Sequence, residues 1–461
     1  MQGRSTRRSR RFLPLSAEHT FILFAVLLAV LFLMGGGSRS DIQSLAALRP
    51  FALLAAAVGV LALDRETLRT YRAPFLLLVA LALLMVVQLI PLPWSSWTSL
   101  PWRGTIAQLD EAVGLAGNSR PITISPMRTA NSLASLAVPF AVLVLYCQLS
   151  ERRRRQVLVA LVGIGVAGAV LGFFQIFSGG SGGLYFYAVT HRGDAVGFFA
   201  NRNHHAAFLA IAMLIAVHLA MERRGPDAKM TRILAFAAAA VLLVGIVTNV
   251  SRGGLLAGAV ALVFVPLVIS GSRGEGRPAR RRWITVGSLA LPVVGIFALF
   301  ALSQRSPALS RLLTDGTSEE IRFQIMPVLL QMARDYQPWG AGFGAFEQAY
   351  RMAEPTELLV RNYFNQAHND WLQLAIEGGV AAVLIAAAMI VVIAIRAFRL
   401  VGSGFRDDPR TSRAWLAFAV LAVLGVASVL DYPLRVPALM GVAFIALTEL
   451  FAPAFPSKSQ E

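Results

Sequence analysis

The chain contains a single cysteine, Cys147, so no intramolecular disulfide can brace it. That residue falls inside an apolar run, where a small core side chain is the expected role. Charge is scarce as well. Of 461 residues only 15% are charged and 56% are hydrophobic, a balance that fits no soluble globular class. Acid is scarcer than base, with 25 Asp and Glu against 42 Lys and Arg and a net charge of +17. The short basic loops lack aromatic interleaving and any nucleic-acid fold signature, so nucleic acid is excluded as a partner. Attraction to anionic lipid head groups accounts for them. No solenoid-type repeat is visible, no His-x-x-x-His spacing occurs, and the one Asp–Asp pair is Asp407–Asp408.

Long apolar runs take the place of what is missing. They fall at about 21–35, 45–63, 73–90, 132–149, 157–177, 204–220, 233–250, 254–270, 284–303, 372–395, 414–430 and 437–452. The pattern predicts an all-α polytopic membrane protein with about twelve transmembrane helices and one larger helical periplasmic loop. In the run from Ala73 to Ile90, Gln88 is the one strongly polar side chain. Arginines set the orientation. Arg4, Arg7, Arg8, Arg10 and Arg11 precede the first run, and Arg152 to Arg155, Arg223, Arg224, Arg280 to Arg282, Arg406, Arg410 and Arg413 occupy alternate loops. Both termini are therefore expected to be cytoplasmic. Arg10 and Arg11 ahead of an apolar run could open a signal peptide, but no Ala-x-Ala-like site follows Met34, and cleavage is not expected.

The expected divisions are a basic cytoplasmic segment 1–20, helices one to nine over 21–303, a periplasmic loop 304–371 with short helices, helices ten to twelve over 372–452, and a cytoplasmic tail 453–461. Besides that loop, only Pro91 to Asn131 reads as a long outward segment. In the loop, an apolar helical pattern from Ile321 to Met332 stops before Pro338 and yields to a glycine-rich turn.

Four polar clusters fall on the outward side of this topology. They are FFANRNHHAAF from Phe198, TNVSRGGLLAG from Thr248, Arg322 with the Pro338–Tyr350 turn, and RNYFNQAHNDWLQLAIEGG, which contains His368, Asn369 and Asp370. Arg252 sits between two apolar runs, where an unpaired guanidinium would cost about 2.5–3.5 kcal/mol near the bilayer centre. A phosphate ligand would satisfy it, and Gly253 and Gly254 permit close backbone approach; snorkelling to a lipid head group is the plainer alternative. Arg322 follows Glu319 and Glu320, and a solvated helix-end pair is its plainer role. Asn201, Arg202, Asn203 and His204 form a polar tetrad directly before an apolar helix. They either line a substrate path or cap and orient that helix. His205 reads as packed, and His218 lies near the cytoplasmic end.

His368 is a candidate general base, since an imidazole titrates near neutrality and can accept a proton from an alcohol. At 100° per residue, His368 and Asp370 would point about 200° apart, so they are not expected to pair. Asp370, Gln373 and Glu377 share one helical face and predict a polar seam inside the bundle. No outward carboxylate cluster has metal-ligand spacing, so no metal and no cofactor are expected, and arginine must supply positive charge to a developing anion.

The segments ANRNHHAAF, NVSRGGLLA, the Arg322 helix with PWGAGFGAFEQAY, AHNDWLQLAIEGG, and DYPLRVPA at 431–438 together resemble the O-antigen ligase and O-antigen polymerase superfamily, from about Thr20 to Phe451. The resemblance implies a metal-independent, inverting glycosyltransferase at the outer face of the bacterial inner membrane. It implies a glycan on undecaprenyl diphosphate as donor, and lipid A–core or a second lipid-linked glycan as acceptor. It carries diphosphate binding onto Arg252 and Arg322 and the base onto His368, with Asn201, Arg202, Asn203, His204, Asn369 and Asp370 as candidate substrate contacts. Ligase, polymerase and protein O-oligosaccharyltransferase share these motifs. A transporter or flippase of lipid-linked glycan is the alternative from another class. It should carry its ionisable residues at midplane and show two related halves.

Overall fold

Apolar runs become helices here because a backbone in hydrocarbon must satisfy its own hydrogen bonds. The computed structural model describes residues 16–39, 41–221, 228–249, 251–271, 324–359, 364–402 and 409–453. The helices are α1 Ala17–Met34, α2 Ser44–Ala62, α3 Arg65–Thr70, α4 Arg72–Gln88, α5 Trp94–Thr98, α6 Gly104–Ala112, α7 Pro126–Ser135, α8 Ala137–Tyr146, α9 Glu151–Phe177, α10 Arg202–Met221, α11 Ala228–Thr248 and α12 Arg252–Gly271. They continue with α13 Met326–Asp335, α14 Phe346–Ala353, α15 Asp370–Gly402, α16 Pro409–Leu430 and α17 Pro437–Phe451, with 3-10 turns at Thr356–Leu358 and Pro433–Arg435. Two short strands, β1 Pro91–Leu92 and β2 Arg120–Pro121, pair antiparallel.

Among the described residues, eight helical segments are long and apolar enough to cross a membrane, and three shorter apolar helices accompany them, at Arg72–Gln88, Gly253–Ile269 and Pro437–Phe451. Eleven of the twelve expected runs are thus helical, and the run 284–303 lies outside the described residues. The run expected at 132–149 differs in its bounds. It begins at Pro126, where proline needs no partner for its nitrogen, is interrupted at Leu136, and ends at Tyr146. α10 is the central helix, buried on every side over His204 to Ala220, and α9, α11, α12 and α16 pack around it.

Of the arginines expected on one side, Arg153, Arg154, Arg410 and Arg413 gather at one end, whereas Arg4 to Arg11, Arg223, Arg224, Arg280 to Arg282 and Arg406 lie outside the described residues. Arg153 pairs with Glu18 at the start of α1, while Arg410 and Arg413 reach Glu151 at the start of α9. Arg154 and Arg413 approach Glu449 of α17 at 3.4 Å each, and Tyr146 donates to the same carboxylate at 2.7 Å.

The opposite end is built from longer connections. Residues 178–201 form an ordered coil, so the expectation that outward links beyond the two long segments are short connections is corrected. Buried Gln175 organises this coil, accepting from Val196 N and Gly197 N at 2.9 and 2.8 Å and donating to Leu184 O and Gly197 O. The 91–131 segment and the 338–345 turn pack on each other. Ile124 N donates to Ala341 O at 2.9 Å, and buried Arg103 donates to Ile122 O and Gly340 O at 2.7 and 3.1 Å. Gly342 lies at φ 108°, where a Cβ would run into the Thr123 hydroxyl. Gln88, the one strongly polar side chain between Ala73 and Ile90, fastens this layer to the bundle. It donates to Trp339 O and Glu377 O and accepts from Phe343 N.

Candidate active site

Three segments distant in sequence meet at one carboxylate. Asp431 follows the last residue of α16 and is 3% exposed, so its oxygens must find partners inside the protein. Its Oδ2 accepts from Asn203 Nδ2 at 2.6 Å and Asn201 Nδ2 at 3.2 Å. Its Oδ1 accepts from Tyr432 N at 3.0 Å and lies 3.2 Å from His368 Nδ1. His204 Nε2 comes to 3.7 Å from the same Oδ1, an ion-pair distance too long for a hydrogen bond. Both imidazoles pack on the Tyr432 ring, with centroids 4.8 and 4.9 Å away. Burial pushes the Asp431 carboxyl up, but the nearby His204 and His368 imidazoles and the hydrogen bond from His368 outweigh it and hold the group well below the usual carboxylate range.

An ionised carboxylate only accepts, so His368 Nδ1 is the donor of its pair and Nε2 is the basic nitrogen. The His368 side chain is 14% exposed against 3% for His204, which makes His368 the imidazole able to meet a substrate. It sits at φ 50°, a left-handed conformation uncommon for a residue with a side chain. Backbone of this kind concentrates at functional sites.

Just beneath, a second acid cluster is fully committed. Asp370 accepts from Ser428 Oγ and Leu434 N at 3.0 Å each and pairs with Arg435 at 3.3 Å. Arg435 also reaches Glu377 at 2.9 Å. Glu377 accepts from Gln373 at 3.0 Å and Phe346 N at 3.3 Å, and Gln373 accepts from Ala367 N at 2.8 Å. The expected seam of Asp370, Gln373 and Glu377 is therefore present, and it anchors the loop that carries His368. Asn369 caps α15 by accepting from Leu372 N at 3.0 Å. Gly379, at φ 63°, kinks α15 where the Pro338 carbonyl approaches.

The site residues expected from sequence divide accordingly. His368, Asn201, Asn203 and His204 converge on Asp431, whereas Asn369 and Asp370 hold the loop. Asn201 also takes a capping role, its Oδ1 accepting from Asn203 N at 2.8 Å. Arg202 pairs with Asp194 at 3.2 Å. Arg252 begins α12, whose next residue, Gly253, lies against the Asn203 side chain. Arg322 lies outside the described residues. His205 is buried on Ala195 O at 2.9 Å, and His218 meets Ser412 at 3.2 Å. Asp431 and Arg435 were not among the expected site residues. The signal for them lay in DYPLRVPA, an acid and a base in a short break between two apolar runs. Among the described residues, no group of three or more His, Cys, Asp or Glu is placed to hold a metal ion.

Residues 237–387 match the O-antigen ligase family model. That stretch includes the start of α12, the Pro338–Tyr350 turn, His368 and the acid seam, but stops short of Asp431. No curated protein matches the chain.

Proposed function

Taking as premise that this multi-helix chain belongs, through residues 237–387, to the O-antigen ligase family of glycan-transferring enzymes, we propose that it moves a glycan from an undecaprenyl-diphosphate donor onto an acceptor hydroxyl. The reaction takes place at the periplasmic face of the bacterial inner membrane, with both termini cytoplasmic. One observation carries the reading. A partly exposed histidine is fixed through one ring nitrogen by a buried carboxylate, which makes the second nitrogen the one to take a proton.

His368 Nε2 removes the proton of the acceptor hydroxyl as its oxygen attacks the anomeric carbon. The glycosyl–phosphate bond breaks on the opposite side, the configuration inverts, and undecaprenyl diphosphate leaves with the bonding electrons. Asp431 stabilises the imidazolium and keeps Nδ1 protonated, as the orienting acid of a catalytic triad does. Arg252 and Arg322 bind the diphosphate and offset its growing charge, so that no metal is required. The acceptor is lipid A–core or a second lipid-linked glycan.

Clustering of the polar groups at one end of the bundle favours transfer over transport, which calls for ionisable residues at midplane. Protein in liposomes, given labelled lipid-linked donor and each candidate acceptor, tests the reading. Release of carrier diphosphate with product supports it, and movement of intact donor across the bilayer refutes it. His368→Ala should abolish transfer at normal membrane levels; turnover comparable to wild type would remove His368 from the mechanism.

A further inference from the structure

The proposed chemistry leaves His204 without a task, although it is buried against the same carboxylate oxygen as the base. It stands in the first turn of α10 with its side chain 3% exposed, too enclosed to meet a substrate, and its Nε2 has no hydrogen-bond partner. Asp431 Oδ2 is taken by Asn201 and Asn203, and Oδ1 already accepts from Tyr432 N. The remaining capacity of Oδ1 is contested by two imidazoles, at 3.2 Å for His368 and 3.7 Å for His204. Among the described residues, the neighbouring charges have partners of their own. Asp370 is held by Arg435 and Ser428, Glu377 by Arg435 and Gln373, and Arg202 by Asp194, while the Tyr432 ring packs against both imidazoles. α12, which packs on α10, opens with Arg252.

We propose that His204 is a positioning residue that competes with His368 for Asp431 Oδ1, so that the charge on His204 sets how basic His368 is. The proposal rests on the role assigned to His368 above. When His204 carries a proton it neutralises Asp431 and repels a second proton on His368, which keeps His368 neutral and able to act as base. When His204 is neutral, His368 is the one imidazolium that the Asp431 charge stabilises, and a proton is held there more tightly. The two contacts place the imidazoles at most about 7 Å apart. At the effective dielectric of about 20 suited to buried pairs, that spacing couples the protonations by about 1–2 pH units.

The test is the pH profile of transfer by purified His204→Gln and His204→Asn. The acid limb of kcat should move up by about 1–2 pH units while the KM for donor stays unchanged. A loss of kcat with the limb unmoved, as a purely structural role would give, overturns the proposal, and so does a limb that moves down. Should neither variant accumulate, [15N]histidine NMR titration of wild type and His368→Gln decides the question without substrate. The titration of the remaining imidazole signals must change when the competitor is removed, and an unchanged titration rejects the coupling. Because that measurement needs no turnover, failure of the coupling and failure of the glycosyl-transfer reading are separable.

Discussion

Replacing Asp431 with asparagine changes almost no volume yet reverses part of the hydrogen-bond sense of the site. The carboxylate faces four donors: Asn201 Nδ2, Asn203 Nδ2, Tyr432 N and His368 Nδ1. An asparagine offers one oxygen and one NH2. Turned one way, its NH2 meets the two asparagine amides; turned the other way, it meets the Tyr432 amide and the imidazole. In either orientation two buried donors lose their acceptor. Hydrogen bonds to a charged group contribute about 1.5–3 kcal/mol each, so a stability loss of about 2–5 kcal/mol is expected after partial relaxation. Catalysis should fall further, because His368 loses the partner that fixes its tautomer and stabilises its charged form. The full contribution of a general base is about 10²–10⁴-fold, and the loss in kcat for Asp431→Asn should fall in that range with little change in donor KM. The assay is carrier-diphosphate release by purified protein at saturating donor, with the melting temperature measured on the same preparation. A folded Asp431→Asn protein that turns over within about threefold of wild type would refute the Asp431–His368 pairing as a catalytic unit.

Arg252→Lys and Arg322→Lys should both be severely impaired in transfer, because lysine keeps the charge but loses the planar two-point fork; unchanged donor binding and transfer in both would move the anion clamp elsewhere. Asp431 has a folded-state pKa depressed well below its unfolded value, so its stabilisation is present above about pH 4 and is lost only as pH falls through the folded value. The acid limb of activity should therefore centre near the imidazole range, and a midpoint near pH 4 would assign it to a carboxylate instead. Glu377→Gln removes the buried partner charge of Arg435, whose own side chain is 21% exposed, and should cost about 1.5–3 kcal/mol, seen as a lower melting temperature; an unchanged one would mean that Asp370 alone neutralises Arg435. Transfer should persist in excess chelator, and a purified enzyme that stops and then restarts with magnesium or manganese would contradict the arginine clamp.

By itself the sequence determined the helices and their polarity. Uncharged runs of sufficient length must become helices in hydrocarbon, and arginines on alternate links mark one end, which is why Glu18, Arg153, Arg410 and Arg413 meet there. Helical periodicity also made the Asp370, Gln373 and Glu377 seam legible, since residues three, four and seven apart share a face. Periodicity could equally show that Asp370 does not serve His368, but it could not say which acid does. That answer needed tertiary structure: the partner is 63 residues further on, in a break between two helices whose local sign is an acid and a base flanked by apolar runs. The asparagines of the tetrad were ambiguous for the same reason. An amide can cap a helix, bind a sugar or hold a carboxylate, and only the packing of α10 against the end of α16 showed Asn201 and Asn203 turned onto Asp431.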